Sequence, residues 1–148
     1  MPAPCEAPPG NYCPEGTGVA TGVPCPVGSF CTGGAAQKAP CSASPGNYCA
    51  AGSSTPGGEP CPEGYRCVGG SAGLTECPAE PGQYCRVGQA TPEDCPVGYF
   101  CDGGSAMPEP CSAAAGRYCP AGSASAAGEQ CPAGSFCAGN AADKAPCT

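Results

Sequence analysis

The sequence predicts a small disulfide-rich repeat array: elongated, mostly turns and short β segments, with little or no helix and no single hydrophobic core. Three observations predict it. The 148 residues hold 17 cysteines, their spacing repeats along the chain, and large aliphatic side chains are nearly absent.

Composition removes the ordinary globular solution. There is no Ile or Trp, Leu74 is the one leucine, and only six Val and three Phe remain. Such a chain cannot bury enough apolar surface to offset the entropy of ordering its backbone. With 25 Gly and 21 Pro it would read as low complexity were it not for the cysteines. Bridges closing short loops contribute roughly 2–3 kcal/mol each by restricting the unfolded chain, so eight of them can stand in for a core.

The cysteines are Cys5, Cys13, Cys25, Cys31, Cys41, Cys49, Cys61, Cys67, Cys77, Cys85, Cys95, Cys101, Cys111, Cys119, Cys131, Cys137 and Cys147. Successive steps run 8, 12, 6, 10 in three units and 8, 10, 6, 10 in the other. A four-cysteine unit of 36 residues therefore occurs four times, once shortened to 34. Periods of this length mark repeat architectures. The expected boundaries are a tail of a preceding repeat at 1–4, repeats at 5–40, 41–76, 77–110 (shortened) and 111–146, and the start of a further repeat at 147–148.

Each unit has two related halves carrying Gly-x-aromatic-Cys, from Gly10-Asn11-Tyr12-Cys13 to Gly134-Ser135-Phe136-Cys137. Gly64-Tyr65-Arg66-Cys67 departs by moving its aromatic one place. Three residues after each such cysteine stands a second glycine: Gly16, Gly34, Gly52, Gly70, Gly88, Gly104 and Gly122, with Asn140 at the eighth place. Asn is the residue that best replaces Gly in left-handed backbone, so the pattern predicts a turn with positive φ in every half. The residues missing from the third unit fall downstream of Gly88, where a turn can lose them. Each aromatic is expected to pack against a disulfide and a proline, giving small local clusters.

Spacing alone leaves connectivity open. Pairing Cys13–Cys25 and Cys31–Cys41 closes a bridge over each proposed Gly turn, and is slightly preferred; it leaves Cys5 over. Pairing Cys5–Cys13 and Cys25–Cys31, or interleaving Cys5–Cys25 with Cys13–Cys31, leaves Cys147 over. Met1-Pro2-Ala3-Pro4-Cys5 also matches Met107-Pro108-Glu109-Pro110-Cys111, and Lys144-Ala145-Pro146-Cys147 matches Lys38-Ala39-Pro40-Cys41. The expectation is a slice of a longer array.

The motif Cys-Pro-x-Gly-x-[Tyr/Phe]-Cys, as in Cys25-Pro26-Val27-Gly28-Ser29-Phe30-Cys31, followed by x-Gly-Gly and a later Pro-Cys, resembles the ephrin-receptor-like cysteine-rich repeats of algal and other protist surface proteins. It is more distantly similar to tumour necrosis factor receptor-like modules. The resemblance spans all four units and implies rod-like ectodomains and surface coats. It supplies no catalytic residues.

Rival chemistries fare poorly. The closest cysteines are six apart and His is absent, so zinc spacing is not met. Without His there is no Ser-His or Cys-His pair, and acidic neighbours such as Glu93-Asp94 read as solvated loop. No catalytic residue, cofactor or metal site is expected. A formal charge of −7 disfavours nucleic acid as a partner, and no apolar run would insert in a membrane. Ser53, Ser54, Thr55 and Thr91, beside Pro and small residues, are candidate O-glycan acceptors.

Bridged cysteines imply an extracellular or cell-surface location. The expected role is a non-enzymatic structural repeat segment of a filament, surface coat or appendage. Its partners would be copies of itself or neighbouring repeats, and glycans. The alternative is a ligand-binding receptor ectodomain. The units are near copies, which favours the structural role; only the third stands apart, with Arg86, Glu93 and Asp94.

Overall fold

Local sequence allows little regular structure, because Pro or Gly interrupts nearly every stretch and no helical period survives. The computed structural model describes all 148 residues and contains no helix. It has sixteen two-residue strands. They pair in sequence order into eight small two-stranded ribbons: β1 (Asn11–Tyr12) with β2 (Val23–Pro24), β3 (Ser29–Phe30) with β4 (Ala39–Pro40), β5 (Asn47–Tyr48) with β6 (Glu59–Pro60), and β7 (Tyr65–Arg66) with β8 (Thr75–Glu76). The rest are β9 (Gln83–Tyr84) with β10 (Glu93–Asp94), β11 (Tyr99–Phe100) with β12 (Glu109–Pro110), β13 (Arg117–Tyr118) with β14 (Glu129–Gln130), and β15 (Ser135–Phe136) with β16 (Ala145–Pro146). Every half-unit thus builds one ribbon, the first strand being the x-aromatic pair of its motif, or Tyr65–Arg66 in the half that departs from it.

The chain forms two compact units. One comprises Met1–Pro62, Arg66–Thr75 and Val87–Ala90; the other comprises Glu63–Tyr65, Glu76–Arg86 and Thr91–Thr148. In the first, the turn Pro8-Pro9-Gly10-Asn11 leads into β1, closed by the Asn11 amide on the Pro8 carbonyl at 3.0 Å with Gly10 at φ +92°. Positive φ at the third residue is what a type II turn requires. In the second, Glu80-Pro81-Gly82-Gln83 repeats it, with Gly82 at φ +93° and the closing bond at 2.9 Å.

The positive-φ turns expected after the cysteines are present in all eight halves. Gly16, Gly34, Gly52, Gly70, Gly88, Gly104 and Gly122 have φ between +59° and +82°, and Asn140 has +54°. No other non-glycine residue has positive φ.

The disulfides correct the preferred pairing. The bridges are Cys5–Cys13, Cys25–Cys31, Cys41–Cys49, Cys61–Cys67, Cys77–Cys85, Cys95–Cys101, Cys111–Cys119 and Cys131–Cys137, leaving Cys147 free. The ribbon explains why. Asn11 faces Pro24 and Tyr12 faces Val23, which sets Cys25 beside Gly10 and places Cys13 three residues further along. Three residues of strand are about 10 Å, beyond the ~7 Å Cα separation a disulfide can bridge. Within a half, the type II turn returns the chain and brings Cys25 and Cys31 to 5.8 Å between Cα atoms. The bridge closes over the glycine before the cysteine, not the one after it.

The shortened unit loses a third turn. In the other units the residue after the first cysteine donates its amide to that loop: Glu6 to Ala20 at 2.8 Å, Ser42 to Pro56 at 3.0 Å, Ser112 to Ala126 at 3.2 Å. The third unit has Pro78 there, which has no N–H to donate. Loop and donor are missing together.

The buried side chains are cysteines with Ala7, Ala43, Ala79, Ala113 and Tyr84, and no polar residue joins them. In the second unit they separate into clusters of three, such as Cys77, Ala79 and Cys85. This is the disulfide-rich repeat array without a common core that the composition predicts.

Candidate functional site

The most developed constellation is the joint between successive half-units, and a glycine stands at its centre. In the first compact unit, the Gly10 amide donates to the Cys31 carbonyl at 2.8 Å while the Gly10 carbonyl accepts from the Cys25 amide at 2.8 Å. One glycine therefore grips both ends of the next half's disulfide. Gly28 does the same with Cys49 (2.9 Å) and Cys41 (3.0 Å), and Gly46 with Cys67 and Cys61, both at 2.8 Å. In the second unit, Gly64 holds Cys85 and Cys77, Gly82 holds Cys101 and Cys95, Gly98 holds Cys119 and Cys111, and Gly116 holds Cys137 and Cys131. The two residues missing between Cys85 and Cys95 leave this clamp intact, the Gly82 amide lying 2.8 Å from the Cys101 carbonyl.

A third half closes over the same glycine. A Cβ on Gly10 would overlap the carbonyl oxygen of Gly52, one on Gly28 that of Ser71, and one on Gly46 that of Gly88. In the second unit Gly82 lies under Gly122 and Gly98 under Ala141 in the same way. These glycines are thus fixed by backbone angle and by space together. Gly16, Gly34, Gly52 and Gly88 have open space where a Cβ would stand, so backbone angle alone constrains them. That difference accounts for Asn140 at the eighth post-cysteine place.

Two aromatics beside clamps reach forward. Tyr84 packs with Cys95 and Cys101, joined by Met107. Phe100 packs against Cys111, Ala113 and Cys119. The expected aromatic–disulfide cluster exists, but the bridge belongs to the following half. Phe136, whose next half is represented by Cys147 and Thr148, is 56% exposed.

Sequence reasoning missed the alanines. Ala7, Ala43, Ala79 and Ala113 each follow the first cysteine of a unit by two residues, a Cys-x-Ala signal repeated four times. Each accepts the amide of Gly34, Gly70, Gly104 or Asn140, at 2.6 to 2.7 Å. A Cβ on Gly33 would stand 2.7 Å from the Ala7 carbonyl oxygen, so this contact too is backbone against backbone.

Polar chemistry lies at the surface, apart from the Nε of Arg66, which is buried without a hydrogen-bond partner. Lys38 sits over Tyr12 at 5.8 Å and Lys144 over Tyr118 at 5.4 Å, cation–π pairs within the first and last units. Burial raises the pKa of Tyr48 above the ordinary phenol value, and the carboxylate of Glu59, opposite it in the ribbon, raises it further. Burial and then Glu93 do the same for Tyr84, partly countered by Arg86. Arg86 and Glu93 form an exposed ion pair at 3.5 Å, of the kind that contributes little to stability. No group of three or more Cys, Asp or Glu is gathered so as to hold a metal ion.

Of the O-glycan candidates, Ser54, Thr55 and Thr91 are exposed. Ser53 is half-buried, and its hydroxyl donates to the Ala50 carbonyl at 2.7 Å, closing the turn instead. A depression of about 430 Å³ over the Cys5–Cys13 bridge is lined by Pro4, Thr17 and Val19 among others and has no charged side chain. No helix of the chain is long and apolar enough to cross a membrane.

No protein-family model, curated protein or solved structure matches the chain. Its own geometry carries the assignment. Regular disulfide-stapled repeats of this kind make a secreted or extracellular structural or binding module.

Proposed function

We propose that the chain is a non-enzymatic structural segment of an extracellular filament, surface coat or cell-surface appendage. The observation that carries this is the clamp itself: the same glycine joins each half to the next bridge from Gly10 through Gly116. The motif's glycines from Gly10 through Gly116 and the bridged cysteines they hold are committed to joining neighbours, and Tyr84 and Phe100 pack on the following bridge. The resemblance to ephrin-receptor-like repeats agrees with this reading. Exposed Ser54, Thr55 and Thr91 are where glycans would attach. Electron microscopy of the native material tests the proposal. Fibres with an axial period matching whole units support it, and dispersed single molecules that bind a soluble ligand refute it.

A receptor-type ectodomain is the second reading, and one observation favours it. Tyr65 and Tyr99 are 38% and 40% exposed at positions where other halves carry Asn, Ser, Gln or Arg. Exposed tyrosines are common recognition residues. A pull-down with Tyr65→Ser/Tyr99→Ser as the control separates the two readings.

A further inference from the structure

We infer that the chain is an extensible element whose stretch is limited by its disulfides. The inference rests on the structural reading above for the source of load, and on connectivity for the mechanism. Each bridge spans 6 or 8 residues inside one half, and no bridge joins one half to another. Tension applied along the chain therefore runs through single peptide segments, Cys13 to Cys25 and Cys31 to Cys41 in the first unit, which no covalent shortcut bypasses. What resists opening between halves is non-covalent: the two backbone hydrogen bonds at each glycine clamp, those of Gly34 on Ala7 at 2.6 Å and Gly52 on Cys25 at 2.7 Å, and packing such as that of Tyr84 on the Cys95–Cys101 bridge.

Those bonds are short-range and can reform. The contacts of one glycine reach only the next two halves, such as Gly10 to Cys25, Cys31 and Gly52. Stability of this nearest-neighbour kind lets single repeats open without global unfolding. The bridged loops stay closed throughout. They hold back roughly two fifths of the residues but, because each bridge still spans about 6 Å, only about three tenths of the contour at about 3.6 Å of reach per residue. Each loop also keeps its type II turn and cysteines together, so a relaxed half needs only to re-dock its ribbon.

Pulling the oxidised chain by its two ends tests this independently of any assembly. The expected record is repeated small extension events, reversible on relaxation, up to a ceiling. Adding a reductant during the pull raises that ceiling about 1.4-fold, the full contour relative to one shortened by the eight bridged loops. No extension before the attachments break, or one all-or-none event that does not recover, overturns the inference. So does a ceiling that reductant raises about twofold, the value for bridges that span the segments between halves. A negative result here leaves fibre formation by a rigid rod untouched, whereas the microscopy tests assembly without regard to stretch.

Discussion

The carbonyl oxygen of Gly52 occupies the space where a side chain on Gly10 would begin. Those residues are in the third and first half-units, so a position fixed by the motif of one half is explained by a loop two halves away. The glycines of this chain thus fall into classes that local sequence makes look alike.

Substitution separates the classes. Gly46 combines φ +91° with the overlapping Gly88 carbonyl, so Gly46→Ala destabilises by more than about 3 kcal/mol. Gly116 has φ +87° with nothing near its Cβ position, so Gly116→Ala costs only the backbone strain, about 1–2 kcal/mol. Gly52→Asn, at an open site with φ +82°, costs under about 1 kcal/mol. Denaturant midpoints of the three oxidised variants should rank in that order.

Connectivity is checked by cleavage after Lys and Arg without reduction. Neighbour pairing releases 1–38 as a free fragment, joins 39–66 to 67–86 through Cys61–Cys67, and joins 87–117 to 118–144 through Cys111–Cys119. Pairing across the ribbons would instead tie 1–38 to 39–66. Mass spectrometry reads the difference directly.

Forward packing of the aromatics predicts a contrast between two similar truncations. Tyr84→Ala removes a side chain that is 8% exposed and lies on the Cys95–Cys101 bridge, at a cost of about 3 kcal/mol. Phe136→Ala, at 56% exposure, stays within about 0.5 kcal/mol of the parent. Equal losses at the two sites would rule out packing on the following bridge.

Tyr48 and Tyr84 have phenol pKa values raised in the folded state. A raised acid pKa means that the unfolded chain ionises first. Their contribution to stability is therefore complete below the ordinary phenol value near 10 and is lost as pH rises through the higher folded values. Phenolate absorbance followed against pH should show a component ionising above the ordinary phenol value, and denaturation should bring that component back to it. Glu59→Gln should bring Tyr48 closer to the ordinary value.

Much of this was legible in the residues. Cysteine spacing gave the units, and the post-cysteine glycines, with Asn140 among them, announced left-handed turns that are all present. Connectivity is hidden because the turn after Cys13 resembles one that a bridge would close, while the turn at Gly10 makes the closure. The direction of aromatic packing and the crowding over Gly10 were out of reach, since both depend on other halves. Cys-x-Ala was visible four times, but a small residue among many carries no mark of burial until its carbonyl is seen to accept a neighbour's amide.

The short bridges also bear on how the chain is made. For each bridged cysteine the partner is its nearest cysteine along the chain: Cys31 is six residues from Cys25 and ten from Cys41. Loop closure favours the shorter span, and in a chain emerging from its amino end the right partner has already appeared when each second cysteine arrives. Oxidation can then proceed ring by ring, with no search among distant thiols. Lengthening such a gene by duplication adds rings whose correct partners are again the nearest thiols.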